Sequence, residues 1–376
     1  MPMRIQPTPR QPQPSEPTAR TRSPRVLIAG KLTALDWPGG GEVQMLATTQ
    51  ALQSIGIDAH LWRPWEERLA GADCLHLFGS LPEHLPLVEA AKRQRVPVVL
   101  STISWFSLTS YWLEPKPIGR RLVACGRYLA RAACPRLPSW RRRLYHAVDL
   151  LLPNSQAEAW QLIRHFDVPA TKIHVVPNGA NERFAEVDPT PFSRLIGQRG
   201  FVLCPGRIEP RKNQLGVLRA LKGTEVPIVI LGEPVPGHEA YLGECRLAAG
   251  ENVRFIGRID HDDPLLASAY AACGCLVLAS WYETPGLVAL EAGMSGIPLV
   301  LPKGGAALEY FGELATYVAP TDYRAIRRAV LAAMIRGRSL PLANHVRQNF
   351  SWQAAARATA EAYERAMTRE GVRTKD

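Results

Sequence analysis

Residues 273–293 read CGCLVLASWYETPGLVALEAG, and this stretch decides the fold. The apolar run at its start predicts a buried strand, and the polar residues, proline and glycine that follow predict a loop. Pro285 then suits the first position of a helix. A buried strand that leads through a loop into a helix is the unit from which parallel α/β sheets are built.

Two acids in this stretch are candidate ligand-binding residues. Glu283 lies just before the predicted helix and can reach a sugar hydroxyl, whereas Glu291, about two turns later, can accept hydrogen bonds from a ribose diol. The first-turn N–H groups of Gly286, Leu287 and Val288 favour an anion. The alternative is a capping acid followed by an ordinary acid on a helix surface.

A second loop, Pro205–Gln214 (PGRIEPRKNQ), also lies between a predicted strand and a predicted helix. Arg207 supplies planar, bidentate donors and Lys212 supplies a compact charge, so the two can converge on one anion. A diphosphate is the natural target, especially when charge grows on a departing phosphate oxygen. The alternative is a surface turn with two solvated cations.

Further apolar runs alternate with amphipathic stretches on both sides of these loops, as in parallel sheets. We therefore predict two α/β domains, residues 25–187 and 201–350, joined by a linker at 188–200. Residues 351–376 are predicted to form a terminal helix and tail. The Pro- and Arg-rich residues 1–24 have too few apolar side chains to fold. The predicted strands are Val26–Gly30, Ala72–Phe78, Val96–Ser101, Asp149–Pro153, Ile173–Pro177, Phe201–Pro205, Pro227–Leu231, Val253–Gly257, Cys275–Ser280 and Ile297–Pro302.

The composition bounds the class of protein. A chain of 376 residues suits two domains, and 46% hydrophobic residues exclude wholesale disorder. No apolar run approaches the ~18 residues of a membrane-spanning helix. The seven cysteines are scattered and odd in number, which argues against a disulfide framework and for a reducing, cytoplasmic compartment.

The net charge of +11 is concentrated in one region. Residues 116–146 carry nine Lys and Arg and no acid. If 120–132 is helical, Arg120, Arg127 and Arg131 share one face. This segment is a plain solvated surface, a contact with an anionic membrane, or a site that holds an anionic acceptor. The absence of a nucleic-acid recognition motif disfavours a nucleic-acid partner.

Taken in order, these segments resemble the family 4 (group 1) glycosyltransferases of the GT-B fold. The stretch Glu283–Gly293 is similar to that family's E-x-x-G-x-x-x-x-E-A motif, and GRIEPRKN is similar to its donor-phosphate loop. Other similar segments, from about residue 25 to 367, are the glycines 39–41 before the first helix, VVPNGAN (175–181), FIGRI (255–259), Gly296-x-Pro298-x-Val300 and the terminal SWQAAARATAEAY.

The resemblance implies two Rossmann-like domains facing across a cleft, with a C-terminal helix that crosses back to the N-terminal domain. It implies that the N-terminal domain binds the acceptor and the C-terminal domain binds a nucleotide sugar. The implied catalytic residues are Arg207, Lys212 and Glu283. The implied donor-binding residues are Gly40, Gly41, Gly206, Arg258, Pro285, Gly286, Leu287 and Glu291.

One position departs from the family pattern. Many relatives carry a histidine in a T-x-H pattern near the transferred sugar, whereas Ser104 occupies the corresponding position in STISWFS. A serine hydroxyl can donate to a sugar but cannot titrate near neutrality. His76, near the end of another predicted strand, is a second acceptor-side candidate, with a structural role as the alternative.

The resulting hypothesis is a glycosyltransferase that moves a sugar from a nucleotide-sugar donor to a saccharide or lipid-linked acceptor. The resemblance implies retention at the anomeric carbon and a place in polysaccharide or glycolipid biosynthesis at the inner face of the cell membrane. No metal-ligand spacing is present, and we expect no cofactor beyond the donor co-substrate. The alternatives are a GT-B epimerase, a phosphorylase and a non-catalytic sugar-nucleotide-binding protein.

Overall fold

The computed structural model describes residues 23–31, 39–284 and 286–373. The predicted N-terminal tail, apart from residues 23 and 24, lies outside these ranges, as does Pro285. The described residues form two α/β domains, each built on its own parallel sheet. This confirms the predicted fold class.

The sheet of the N-terminal domain has five strands within the described ranges, in the order β2-β1-β3-β4-β5, all parallel. The central strands are largely apolar, apart from His76 in β3, because helices cover both of their faces. The strands are β1 Arg25–Ala29, β2 Asp58–Leu61, β3 Cys74–Phe78, β4 Val98–Ser101 and β5 Leu150–Leu151. The helices are α1 Gly40–Ser54, α2 His84–Arg93, α3 Leu108–Leu113, α4 Ile118–Ala133, α5 Trp140–Ala147 and α6 Gln156–Phe166.

The sheet of the C-terminal domain has six described strands in the order β11-β10-β9-β6-β7-β8, again all parallel. The strands are β6 Val202–Pro205, β7 Ile228–Leu231, β8 Val253–Ile256, β9 Cys275–Val277, β10 Leu299–Pro302 and β11 Thr316–Val318. The helices around it are α7 Thr190–Ile196, α8 Gln214–Leu221, α9 Glu239–Ala248, α10 Pro264–Ala272, α11 Leu287–Met294, α12 Ala307–Phe311, α13 Tyr323–Arg336 and α14 Leu340–Asn349.

The last helix, α15 (Trp352–Arg373), leaves the C-terminal domain and packs on the N-terminal domain against α1, β3 and β4. Tyr363 is 1% exposed in this contact. At the crossing, the amide of Ala180 donates to the carbonyl of Phe350 at 2.9 Å. The Cβ of any larger residue at Gly179 would stand 2.3 Å from the Trp352 amide nitrogen. Gly179 therefore lets the two chain segments touch, and the predicted crossing helix is confirmed.

Three local features differ from the sequence-based expectations. Residues 188–200, predicted to be a linker, contain α7, which packs on α10 and buries Phe192 completely. The segment 173–177 is not a strand, although it makes an isolated bridge to β5 at residue 173 and the Val176 amide donates to the Pro153 carbonyl at 2.9 Å. The strands β2 and β11 were not predicted, because each is a short edge strand with partly exposed side chains. None of the helices in the described ranges is both long and apolar enough to cross a membrane.

Candidate active site

A buried ion pair joins the two loops that the sequence singled out. Lys212 ends the short 3-10 turn Pro210–Lys212 after β6, and Glu283 lies in the loop between β9 and α11. Lys212 Nζ lies 2.7 Å from Glu283 Oε1, and the Ser280 hydroxyl donates to the same oxygen at 2.6 Å. The side chains of Lys212 and Glu283 are only 13% and 6% exposed. The structure therefore brings two of the three predicted catalytic residues together.

The electrostatics of this pair favour an ionised carboxylate. Burial alone raises the pKa of Glu283, but the charges of Lys212 and Arg211 and the hydrogen bonds from Lys212 and Ser280 hold it below its usual value. Arg211 is itself fixed by Glu209, whose Oε1 accepts from its Nη2 at 2.9 Å. The carboxylate of Glu283 can therefore act as a charged hydrogen-bond acceptor at neutral pH.

Close backbone packing fixes the position of Glu283. Its carbonyl accepts from the Ala306 amide at 3.0 Å, and its own amide donates to the Gly304 carbonyl at 3.2 Å. Gly305, at φ +111°, packs so tightly that a Cβ there would lie 2.0 Å from the Glu283 carbonyl oxygen. Only glycine combines that conformation with that contact.

Arg207, the third predicted catalytic residue, reaches across the domain boundary. A Cβ on Gly39 would lie 2.9 Å from Arg207 Nη1, so the guanidinium rests against the residue that caps α1. Arg207 Nη2 lies 3.7 Å from Glu209, and the side chain is 42% exposed. The side chain of Arg207 therefore reaches from the loop after β6 to the glycine that precedes α1, and its nearest carboxylate, that of Glu209, lies beyond hydrogen-bond distance.

The predicted glycines occupy two helix starts. Gly40 and Gly41 form the first turn of α1, and space around Gly40 is open. Gly286, at φ +85°, precedes α11, which begins at Leu287. Gly206, at φ +124°, follows β6, and the Lys212 side chain passes alongside it. Because the first amides of a helix lack intrahelical acceptors, both starts favour an anion.

Glu291 lies on α11, but its carboxylate already has partners. Its Oε2 accepts from the Tyr270 hydroxyl at 2.7 Å, and its Oε1 lies 2.8 Å from His261 Nε2. Arg183 approaches the His261 ring from the other side, with its Nη2 3.2 Å from Nδ1. Sequence reasoning missed His261, Tyr270 and Arg183, because none lies near Glu291 along the chain. His261, whose side chain is 31% exposed, therefore covers the carboxylate of Glu291 that was predicted to bind the ribose.

Arg258 lies apart from the Lys212–Glu283 pair. It follows β8, the edge strand of the sheet, and its Nη2 donates to Asp260 at 2.8 Å. Its side chain is 39% exposed. The structure does not join this guanidinium to the other predicted donor-binding side chains.

Ser104 follows β4 in a tightly bonded loop. Its hydroxyl lies 3.1 Å from the Tyr145 hydroxyl and 2.9 Å from that of Ser80. Its amide donates to Glu158 Oε1 at 2.6 Å, and the Thr102 hydroxyl donates to the same oxygen at 2.6 Å. The fully buried Glu158 therefore holds this loop in place. Sequence reasoning missed Glu158, although the Ser155-x-x-Glu158 spacing is typical of a helix start.

His76 is buried beneath the terminal helix. Its Nδ1 lies 2.7 Å from the Tyr363 hydroxyl and its Nε2 lies 2.9 Å from the Ser101 hydroxyl. Burial lowers its pKa to about 3, so the ring is neutral. This placement favours the structural interpretation of His76 over the acceptor-side one. Within the described ranges, no group of three His, Cys, Asp or Glu side chains is arranged to hold a metal ion.

Comparison with known families covers both domains. Residues 190–352 match the family model for glycosyl transferases group 1, and residues 49–184 match the model for glycosyltransferase family 4. The chain belongs to the family 4 (group 1) glycosyltransferases of the GT-B fold. The recognition made from the sequence motifs is therefore confirmed.

Similar family 4 glycosyltransferases include two named D-inositol 3-phosphate glycosyltransferase. The protein of Streptomyces bingchenggensis is 31% identical over 246 residues, covering 59% of this chain and 54% of its own length. The protein of Streptomyces avermitilis is 27% identical over 428 aligned residues, covering 94% of this chain and 91% of its own length. Several of these matches thus span only a little over half of the relative.

A solved structure supports the same GT-B fold. Anabaena Alr3699/HepE, crystallised with UDP and glucose, superposes with a TM-score of 0.66 at 17% identity. The superposition covers 91% of this chain and 99% of the Anabaena protein. At that identity the likeness concerns the fold of this family 4 chain, and the roles of its residues rest on its own geometry.

Proposed function

We propose that this protein transfers a glycosyl group from a nucleotide-sugar donor to a saccharide or lipid-linked acceptor. The observation that carries the proposal is the arrangement at the domain boundary. Lys212 is paired with Glu283 at 2.7 Å, and Arg207 reaches from the same loop to the start of α1. Two cations and two helix starts around one buried carboxylate suit a diphosphate bound next to a sugar.

In this proposal the diphosphate lies against Arg207, Lys212 and the N-terminus of α11. Arg207 is free to bind because no carboxylate holds it at hydrogen-bond distance in the described part of the chain. Charge grows on the phosphate oxygen as the C1–O bond breaks, and fixed cations stabilise it without rearrangement. In the same proposal the backbone amides of Gly40, Gly41, Gly206 and Leu287 also face the donor.

Glu283 orients the transferred sugar, and Glu291 accepts the ribose hydroxyls. Glu291 can do so only after His261 moves from its Oε1, which is 2.8 Å away. Arg258 lies on the base side of the donor, beyond β8. Pro285, which precedes α11, belongs to the same proposed donor site.

The proposed reaction breaks the bond between the anomeric carbon and the diphosphate oxygen and forms a bond from that carbon to the acceptor oxygen. The acceptor's proton passes to the departing phosphate oxygen, so no protein nucleophile is required. Attack from the side of the leaving group gives retention. Ser104 belongs near the sugar in this scheme, and its hydroxyl would have to turn from Tyr145 and Ser80 to donate to it.

We also propose that the enzyme acts at the inner face of the cell membrane, in polysaccharide or glycolipid assembly. Helix α4 supports this, because its apolar residues Ile118, Leu122 and Leu129 are 54–59% exposed beside basic ones. Exposed apolar groups flanked by arginines suit an anionic bilayer surface. Ile118→Asp/Leu122→Asp should abolish sedimentation with phosphatidylglycerol vesicles while transfer to a soluble acceptor persists.

The proposed transfer is tested with Arg207→Ala and its matched control Arg219→Ala. Arg207 is 42% exposed, so its removal should leave the melting temperature unchanged. Transfer should fall about 100-fold, as when one donor to a developing oxyanion is lost. Arg219→Ala removes an exposed arginine from α8 and should change neither quantity.

Donors are first identified by the melting-temperature rise that nucleotide sugars cause, and products are then analysed by mass spectrometry. Full transfer by Arg207→Ala with a bound donor would reject the phosphate assignment. Release of an epimerised nucleotide sugar, or phosphate-dependent cleavage, would establish the epimerase or phosphorylase alternative. Donor binding without turnover across an acceptor panel would establish a binding protein.

A further inference from the structure

A cavity of about 190 Å³ in the N-terminal domain is lined by arginines and aromatic rings. It lies where α3, α4, α5 and α6 meet, and neither Lys212 nor Glu283 lines it. Six of its lining residues carry the argument: Tyr111, Arg127, Tyr128, Arg131, Arg141 and His165. No acid lines it.

The three arginines of this cavity are without a carboxylate partner in the described ranges. By contrast, Arg136 and Arg142, from neighbouring positions, both approach Asp167, at 2.9 and 3.7 Å. Arg131 and Arg141 instead lie over aromatic rings, Arg131 at 5.2 Å from the Phe166 centroid and Arg141 at 4.2 Å from that of Trp140. The rings hold the guanidinium groups in place without neutralising them.

The charges of this cluster act on one another. Burial, followed by the neighbouring charge of Arg141, lowers the pKa of Arg131. Arg127, one turn before Arg131 on α4, adds a third positive charge to the same cavity. Like charges this close are unfavourable in the free protein, and a bound anion would relieve the repulsion.

The environment of His165 independently indicates that this cavity binds a ligand. It is 2% exposed, and neither ring nitrogen has a hydrogen-bond partner among the described residues. The Nε of Arg141 is also buried without a partner. Buried polar groups without partners carry a desolvation cost, so such groups around one cavity point to a ligand that supplies acceptors.

The cavity adjoins the proposed reaction centre. Ser110, next to Tyr111, donates to the Trp281 carbonyl of the C-terminal domain at 3.2 Å. Tyr111 is the next residue along α3, so this wall of the cavity meets the loop that carries Glu283. A ligand held in this cavity would therefore extend towards the site of transfer.

We propose that this cavity binds a phosphate group of the acceptor, with Arg127, Arg131 and Arg141 as its ligands and His165 as an additional donor. Guanidinium groups bind phosphate through paired hydrogen bonds, and the aromatic rings exclude water from them. The acceptor role rests on the proposed transferase function, whereas phosphate binding itself does not. The same chemistry fits a soluble phosphate ester and a phospholipid headgroup.

The test is calorimetric titration of the full-length protein with glycerol 3-phosphate, with glycerol as the neutral control. Arg207→Ala removes an exposed donor-phosphate residue without loss of fold, so binding at the cavity should persist in that variant. Arg131→Gln/Arg141→Gln should weaken binding at least about tenfold, as expected for lost charge-assisted hydrogen bonds. Arg127→Gln, at an exposed position, should weaken it without loss of fold.

Arg143→Gln is the matched control for the single variant Arg127→Gln, because Arg143 is 70% exposed on the same helix as Arg141 and each of the two substitutions removes one positive charge. Binding unchanged by the cavity substitutions, or lost only with the donor-site variant, would overturn the proposal. A second arm uses phosphatidylcholine vesicles with and without phosphatidylglycerol. Cavity-dependent binding of glycerol 3-phosphate identifies a soluble ester, and cavity-dependent binding of the anionic vesicles alone identifies a lipid. Either supports phosphate recognition, even if no transfer activity is found.

Discussion

The ammonium of Lys212 lies 2.7 Å from the carboxylate of Glu283, although 71 positions separate them in the chain. The pair ties the loop after β6 to the loop before α11, so each residue fixes the other. The pair is also almost excluded from solvent, since both side chains are at most 13% exposed. Removing one partner therefore affects both the stability of the domain and the proposed chemistry.

Lys212→Ala should destabilise the protein by about 3–5 kcal/mol, because it leaves the Glu283 carboxylate buried without its cation. Transfer should be lost even at temperatures where the variant is fully folded. Urea unfolding and initial rates measure the two effects separately. Lys222→Ala, at an exposed position after α8, is the control and should leave both unchanged. Equal stability of Lys212→Ala and the wild type would contradict the buried ion pair.

The His261–Glu291 contact should make stability depend on pH. Burial lowers the pKa of His261, but the hydrogen bond and charge of Glu291 outweigh it, so the pKa lies above its usual value. Asp262 also raises it, whereas Arg183 lowers it. The folded protein thus holds this proton more tightly than the unfolded chain. The resulting stabilisation is complete below about pH 6.5 and is lost as pH rises through the folded pKa.

His261→Asn removes this contribution. The melting temperature of the wild type should exceed that of the variant most below about pH 6.5, where the raised pKa keeps His261 protonated, and least above about pH 8. Differential scanning fluorimetry across this range measures the difference, and titrations common to both proteins cancel. A difference that grows with pH would mean that His261 is not held as a cation by Glu291.

Tyr363→Phe should separate a structural role of His76 from a chemical one. The substitution deletes the hydroxyl that lies 2.7 Å from His76 Nδ1 in a fully buried contact. We expect a loss of about 1–3 kcal/mol of unfolding free energy, because the imidazole nitrogen remains buried without a partner. The donor KM should not change. Tyr323→Phe, at a side chain 40% exposed, serves as the control and should alter stability by less than about 0.5 kcal/mol.

Gly305→Ala should impair transfer by displacing Glu283. The new Cβ would lie 2.0 Å from the Glu283 carbonyl oxygen, so the backbone of the loop must shift. A misplacement of about 1 Å at a reacting group typically costs about 100-fold in rate. Gly243→Ala, in the open interior of α9, should instead preserve activity and add about 0.5–1 kcal/mol of stability. Wild-type rates in Gly305→Ala would show that Glu283 tolerates the shift.

The sequence predicted those elements of the fold whose burial requires apolar side chains. Central strands such as Val202–Pro205 are covered on both faces, so they appear as uninterrupted apolar runs. The edge strand Asp58–Leu61 carries no such signal, because half of its surface stays in water. The helix Thr190–Ile196 was hidden by two prolines and an aspartate, which predict a loop although Phe192 is buried against α10.

The sequence predicted only those residues of the candidate site that belong to a short local motif. Arg207, Lys212 and Glu283 were found because each follows a recognisable strand within a short motif. The contacts of Glu291 with His261 and Tyr270 join residues 30 and 21 positions apart from different elements. No local pattern encodes such pairs, since they arise when the helices α10 and α11 and the loop after β8 pack together. The cavity around His165 was missed for the same reason.

The crossing of helix α15 back onto α1 has a consequence for how the molecule is made. The N-terminal half leaves the ribosome first, yet the surface that receives Tyr363 and Ala366 stays uncovered until residues 352–373 emerge. Both side chains are at most 1% exposed in the finished structure. During synthesis, the apolar surface that α15 covers therefore stays exposed to water until nearly the whole polypeptide has been translated. A fragment that stops at residue 187 would expose that surface permanently.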